Sequence, residues 1–372
     1  MRYIAFLKLF VVMKIVCFHL FNDYSGSPKV LNMVLHGLSD KNYQIDLITS
    51  QKGGVLDELL KNNNIRIFRY HYKYSVSLVK TTFRYLFSQL YTFLFSFRYL
   101  FKKDVVFFVN TLLPLGPALA GWLMRKKIIY YYHENAFTKG YFYRILAFMM
   151  QHFADKIICV SNFQSSFLHR KEGILVVPNA LSVEFYQKCN EISLHEKDYK
   201  TILMLSSLKR YKGVLEFVQL AQCLSQYRFL LVINDTKANI DSFFAHYKVP
   251  YLSNLEIWDR QSEVLPFYDR SSLVLNLSDK YAFIETFGLT ILEAISAGIP
   301  VIVPTVGGVS ELVEDGVNGY RVDIQDFNKI KNMIVHILSN PVLYHSLSQN
   351  AKMVSLKYDY FSMINRIESA LQ

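Results

Sequence analysis

Glu285 and Glu293 stand eight positions apart in the run Glu285-Thr286-Phe287-Gly288-Leu289-Thr290-Ile291-Leu292-Glu293-Ala294. Gly298 and Pro300 close a helix that this run predicts from about Phe287. Gly288 lets backbone approach a ligand closely, and the unpaired N–H groups of a first helical turn cradle phosphate. An anion at such an end gains about 0.3–1 kcal/mol when exposed. One carboxylate lies just before the helix and can accept hydrogen bonds from sugar hydroxyls near the phosphates. The other lies within the helix and can reach ribose hydroxyls. The plainer reading is an amphipathic helix with an acid at its start. Phe-Gly after the first Glu and Glu-Ala at the second favour the ligand site.

A second candidate is Ser206-Ser207-Leu208-Lys209-Arg210-Tyr211-Lys212-Gly213. A cation before glycine at a strand-to-helix junction suits a diphosphate. Lys212 is its centre, Lys209 or Arg210 can add charge, and a solvated basic loop is the competing reading. His133, in Tyr130-Tyr131-Tyr132-His133-Glu134-Asn135, ends an apolar strand where ligands of α/β sheets bind. There is no Asp-x-Asp triplet to clamp a metal on a diphosphate. No metal and no cofactor are therefore expected, and Lys212 with the helix end would stabilise the leaving group instead.

The elements that must position these residues follow from apolar runs. Strands are predicted at 15–20, 44–49, 65–70, 105–109, 127–132 and 156–160, with a helix at about 29–38 and further helices between strands. Alternation restarts at 201–205 and continues at 229–233, 273–277 and 300–304. Strands alternating with helices argue for parallel sheets covered on both faces. The length suits two domains. The boundaries read as an N-terminal domain over 1–180, a polar linker over 181–200, a C-terminal domain over 201–355, and a terminal helix over 356–372 that packs back on the first domain. Residues 1–12 read as an extension ahead of the first core strand, because the apolar start lacks a small-residue cleavage site and Lys14 interrupts it.

The segment from Glu285 to Ala294, the run Pro304 to Gly319 and the loop at Lys212 together resemble retaining glycosyltransferases of the GT-B fold, in particular glycosyltransferase family 4 (glycosyl transferases group 1). The resemblance spans nearly the whole chain and is sharpest from 201 to 322. It implies an α/β architecture of two Rossmann-like, doubly wound domains facing a central cleft. It assigns Glu285 and His133 to catalysis on the donor sugar, with Glu285 acting electrostatically. The backbone of Phe287, Gly288 and Leu289 goes to donor binding, Glu293 to ribose, and Lys212 with Arg210 to the diphosphate. Gly26 falls in the loop near phosphate and acceptor. Ser207 stands where relatives carry Arg. Val160-Ser161-Asn162-Phe163 and Val177-Pro178-Asn179-Ala180 match as structural turns. The implied reaction moves a sugar from a nucleoside-diphosphate sugar to a glycan or glycolipid hydroxyl with retention, in cell-surface polysaccharide or lipid-linked oligosaccharide synthesis. A sugar-nucleotide epimerase on the same fold and a non-catalytic partner subunit are the alternatives.

Composition agrees with a folded protein that meets anions: 52% hydrophobic, 19% charged, net charge +11. The basic residues are scattered, without zinc-finger spacing or a recognition helix, which argues against nucleic acid. No Cys forms a C-x-x-C pair, and the cysteines read as reduced, buried thiols of a cytoplasmic protein. Finally, Phe83, Phe87, Leu90, Leu94, Phe97 and Phe101 recur on one helical face over 81–103, beside Arg84, Arg98, Lys102 and Lys103. Such a helix either lies in an anionic membrane interface, making the protein peripheral on the inner face, or packs between layers of the first domain.

Overall fold

The apolar runs form two parallel sheets in the computed structural model, which describes residues 13–51, 53–75, 77–192 and 200–372. The expected extension at 1–12 and residues 193–199 of the expected linker lie outside the described residues. The chain divides into two compact units. The first holds the described residues up to Cys159, with 168–177 and 364–372; the second holds 160–167 and 178–363.

In the first unit the strands are β1 (Lys14–His19), β2 (Gln44–Thr49), β3 (Ile65–Arg69), β4 (Val105–Asn110), β5 (Lys127–Tyr132), β6 (Lys156–Cys159) and β7 (Ile174–Val176). Their order is β3-β2-β1-β4-β5-β6-β7. Helices α1 (Gly26–Asp40), α2 (Leu78–Ser96), α3 (Leu115–Leu123) and α4 (Tyr141–Phe153) connect them. Phe18, Phe107, Tyr130 and Tyr132 fill the core. A buried carboxylate ties three strands together. Asp46 on β2 accepts from Arg66 at 2.9 and 3.1 Å, from Lys14 at 3.3 Å and from the Tyr99 hydroxyl at 2.7 Å. A buried charge so fully bonded avoids the cost of desolvation without partners.

The second unit carries α5 (Asn162–Ser166) and α6 (Val183–Asn190), then β8 (Thr201–Ser206), α7 (Val214–Cys223), β9 (Arg228–Ile233), α8 (Lys237–His246), β10 (Leu255–Trp258), α9 (Leu265–Asp269), β11 (Leu273–Leu275), α10 (Leu289–Ser296), β12 (Val301–Val303), β13 (Gly319–Arg321), α11 (Phe327–Leu338) and α12 (Pro341–Ser355). The strand order β10-β9-β8-β11-β12-β13 repeats that of the first unit's β3-β2-β1-β4-β5-β6. In both sheets the order reverses beside the first strand, which makes the β1/β4 and β8/β11 ends topological switch points. Helix α13 (Tyr360–Leu371) begins in the second unit and ends in the first. There Lys41 Nζ donates to Asn365 at 2.7 Å and Lys127 Nζ to the Leu371 carbonyl at 2.9 Å.

Several boundaries differ from the expectations. Helix α1 starts at Gly26, three residues before Lys29, because Pro28 needs no N–H partner in a first turn. The stretch expected to be linker contains α6, where the Ser182 hydroxyl caps the Phe185 N–H at 3.2 Å. Helix α2 ends at Ser96 and passes into a single turn of 3-10 helix, Phe97–Tyr99, so Phe101 lies beyond it. Cys17, Cys159 and Cys189 are buried free thiols; Cys223, at the end of α7, is exposed. Among the described residues no helix is long and apolar enough to cross a membrane.

Candidate functional site

Lys212 and Glu285 meet at the switch point of the second sheet. β8 ends at Ser206, and one turn of 3-10 helix, Arg210–Lys212, swings the Lys212 side chain over the end of β11. Its ammonium pairs with Glu285 Oε1. The same oxygen accepts from Ser278 Oγ at 3.3 Å and Asn276 Nδ2 at 3.5 Å, both just past β11. The ammonium also sits 4.0 Å from the centroid of the Phe283 ring, which stacks on Tyr211 at 5.0 Å. Burial pushes the Glu285 carboxyl up, but the Lys212 charge and the three donors outweigh it and hold the group below its ordinary range. Glu285 is therefore a carboxylate at neutral pH.

The segment carrying Glu285 is fixed by backbone bonds on both sides. The Gly308 N–H donates to the Glu285 carbonyl at 2.8 Å, and the Ser161 hydroxyl to the Thr286 carbonyl at 2.7 Å. Phe287 is buried edge-on against Tyr358, with centroids 5.9 Å apart. Helix α10 starts at Leu289, two residues later than predicted. Gly288 has φ +103°, which ends the extended segment, and a β-carbon there would sit 2.6 Å from Val309. Glu293 consequently lies one turn into the helix, half-buried, and accepts from the Tyr268 hydroxyl at 2.6 Å.

The Arg210 side chain turns away from this cluster: its guanidinium holds Glu216 at 2.6 Å. Lys209 is exposed. The Ser161–Phe163 turn, matched as structural, contributes the bond to Thr286 above. It also places the Asn162 amide groups 3.1 Å from the Glu311 carboxylate.

His133 belongs to the first unit, at the end of β5. Its Nε2 donates to Asn110 Oδ1 at 3.0 Å, while Asn110 Nδ2 donates to His19 Nδ1 at 3.0 Å. His19 and Asn110 end β1 and β4, so this chain of bonds crosses the first sheet's switch point. Burial pushes His19 down to about 4 and His133 to about 3, His19 adding to the second shift. Both rings are neutral at pH 7. Gly26 lies exposed in the first turn of α1. The sequence reading missed His19, Asn110, Asn276, Ser278 and Tyr268. The first four follow or end apolar strand runs, a positional signal that could have found them; Tyr268 carried none. Among the described residues no group of three His, Cys, Asp or Glu is placed to hold a metal ion.

Comparison with known proteins covers both units. The profile of Glycosyltransferase Family 4 matches residues 24–185, and that of Glycosyl transferases group 1 matches 186–354. An uncharacterized glycosyltransferase of Methanocaldococcus jannaschii is 30% identical over 213 residues, 56% of either chain. The lipopolysaccharide 1,2-N-acetylglucosaminetransferase of Salmonella typhimurium is 26% identical over 239 residues, 58% of this chain and 62% of that one. The match thus spans a little over half the length of these two curated relatives. Among solved structures, Anabaena HepE in complex with UDP-glucose superposes with a TM-score of 0.76 at 19% identity, over 96% of this chain and 99% of that one. With both halves matched in sequence and the double Rossmann-like architecture repeated in the solved fold, the chain belongs to the GT-B glycosyltransferases of family 4, the group 1 glycosyl transferases.

Proposed function

We propose that this protein transfers a sugar from a nucleoside-diphosphate sugar to a hydroxyl of a glycan or glycolipid, with retention of configuration and without a metal. The observation that carries the reading is the Lys212–Glu285 ion pair at the second switch point. An ammonium has three N–H donors, and Glu285 takes one. The other two serve the diphosphate, together with the Leu289 and Thr290 N–H groups, which precede the first bonded amide of α10, that of Ile291. All three donors on Glu285 engage Oε1, so Oε2 accepts from a sugar hydroxyl. Glu293 takes the ribose hydroxyls. His133 acts as a neutral hydrogen-bonding group toward the substrate, and Gly26 leaves room for it. Glu285 stabilises charge and forms no covalent intermediate. The leaving phosphate takes the acceptor proton on the face it departs from. Arg210 contributes only after releasing Glu216.

The HepE complex with UDP-glucose supports a nucleoside-diphosphate sugar as donor, and the named activity of the Salmonella relative supports a glycolipid acceptor. A thermal-shift panel of nucleotide sugars tests the donor class. A ligand at about a hundred times its Kd stabilises by about 2.7 kcal/mol. Release of nucleoside diphosphate should follow with the stabilising donor, survive excess EDTA, and give a product of unchanged anomeric configuration by NMR. A panel without any shift would overturn the donor assignment. Recovery of an epimerised nucleotide sugar would favour the epimerase.

A further inference from the structure

Helix α2 is built inside out. The side it turns to the first unit is Tyr85, Ser88, Thr92 and Ser96, all buried. Their small hydroxyls bond back to the helix: Ser88 to the Tyr85 carbonyl, Thr92 to that of Ser88, Ser96 to that of Thr92, at 2.7–2.8 Å. This thin face lets α3 approach closely. Gly116 N–H donates to Gln89 Oε1 at 2.9 Å, and a β-carbon on Gly116 would fall 2.1 Å from the Gln89 carbonyl oxygen. The apolar stripe is left outside, with Phe83 71% exposed, Phe87 68% and, past the helix, Phe101 92%. The alternative that this stripe packs between layers of the unit is overturned, because the hydroxyl face already occupies that contact.

Helix α4 extends the surface. Tyr141, Ile145 and Phe148, spaced i, i+4, i+7, are exposed, the last at 70%. Phe142 joins them to α2 through an edge-on contact with Tyr85, centroids 5.7 Å apart. Contiguous exposed apolar surface on this scale marks an interaction site. Charge selects the occupant. No acidic residue occurs between Lys61 and Lys103 or between Glu134 and Asp155, while Lys80, Lys102, Lys103 and Arg144 lie exposed around the aromatic side chains. A second copy of this chain would bring cation against cation across a two-fold axis. An anionic lipid surface meets both demands at once: aromatic side chains enter the interface while Lys and Arg stay at the headgroups.

We propose that the outward faces of α2 and α4 together form a docking surface for an anionic lipid bilayer. The inference does not depend on the proposed reaction. Flotation with three-to-one phosphatidylcholine–phosphatidylglycerol vesicles, against phosphatidylcholine alone, tests it on the full chain. The wild type should float with the anionic vesicles at low salt and be partly released as salt rises. Phe83→Ser with Phe87→Ser and Phe148→Ser should cut partitioning at least tenfold at every salt concentration. Lys80→Ser with Lys102→Ser and Lys103→Ser should cut it roughly a hundredfold at low salt and much less at high salt. Equal melting temperatures and far-UV spectra establish that the variants fold. Failure of the wild type to float overturns the proposal. So does full binding by the aromatic variant. A concentration-dependent dimer that the aromatic variant abolishes, without vesicle binding by the wild type, would assign the face to a second copy and overturn it equally.

Discussion

The two sheets share a strand order and place polar groups at the same switch point, yet the chemistry there is opposite. At β8/β11 a lysine is paired with a carboxylate, and that pairing holds the Glu285 carboxyl in its charged form. At β1/β4, and on to β5, an amide links two imidazoles, and burial keeps both neutral. Fold topology therefore supplies a location, and the strand-end residues decide what it offers. The second unit offers fixed charge to an anion. The first offers orientation: Asn110 has one donor and one acceptor end, so it fixes His19 Nδ1 as acceptor and His133 Nε2 as donor.

The contrast breaks most readily at Lys212. Lys212→Ala removes the cation proposed to hold the diphosphate and leaves the half-buried Glu285 without its counter-ion. Turnover, followed as nucleoside diphosphate release, should fall about 10²–10³-fold, the usual loss on removing one preorganised electrostatic group. Asn110→Ala should cost less, because it disorders a neutral ring and removes no charge. An equal or larger loss at Asn110 would mean that orientation in the first unit outweighs charge in the second.

A smaller effect is expected at Glu293. Glu293→Ala should weaken nucleoside diphosphate binding by about 1.5–3 kcal/mol, roughly ten- to a hundredfold in Kd by calorimetry. Tyr268→Phe separates two roles, since that hydroxyl bonds Glu293 at 2.6 Å and the Thr290 carbonyl at 3.2 Å. If Tyr268 only orients the carboxylate, its loss should cost a fraction of the Glu293→Ala effect. Unchanged affinity in a folded Glu293→Ala variant would remove Glu293 from the ribose-binding role proposed for it.

What the sequence made legible follows the same division. Glu285 to Glu293 is a contiguous stretch whose residue types announce a turn, a helix start and two acids. Lys212 is equally local, a cation before glycine. The network of His19, Asn110 and His133 is drawn from three strands separated by long stretches of chain, and no local pattern joins them. Only the parallel order β1-β4-β5 brings them side by side. Asp46 escaped notice for the same reason, since its partners Lys14, Arg66 and Tyr99 lie on other elements. Strand positions were readable because an apolar run buried on both faces has few other readings. Helix α6 was not, because a short polar helix held by one Ser182 cap leaves little periodicity to detect. The face of α2 was legible as a stripe, but its direction was not: periodicity shows which residues share a side and is silent on which side is buried.

The smallest expected effect sharpens the neutral half of the comparison, and it concerns stability. Unfolded, His19 and His133 titrate near 6.5; folded, near 4 and 3. Above 6.5 neither state binds these protons, and the two residues contribute no pH slope. Between 6.5 and about 4 the unfolded chain takes up protons that the native first unit refuses, so stability falls as pH falls. The limiting slope is about 1.4 kcal/mol per pH unit for each histidine. Glu285, whose carboxyl is depressed, adds to the loss only as pH falls through the ordinary carboxyl value of 4.5 and below, so a comparison of pH 7 with pH 5 is left largely to the histidines. Glu134 does oppose it, since burial pushes its carboxyl up and the native state then gains protons in acid. The informative quantity is therefore a difference between variants. Melting at pH 7 and pH 5 should show a clear loss for the wild type and a smaller one for His19→Gln, whose amide can still accept from Asn110 but cannot titrate. If His19→Gln loses as much between the two pH values as the wild type, His19 is not a buried neutral base, and the contrast between the two switch points narrows to the charge at Lys212 and Glu285.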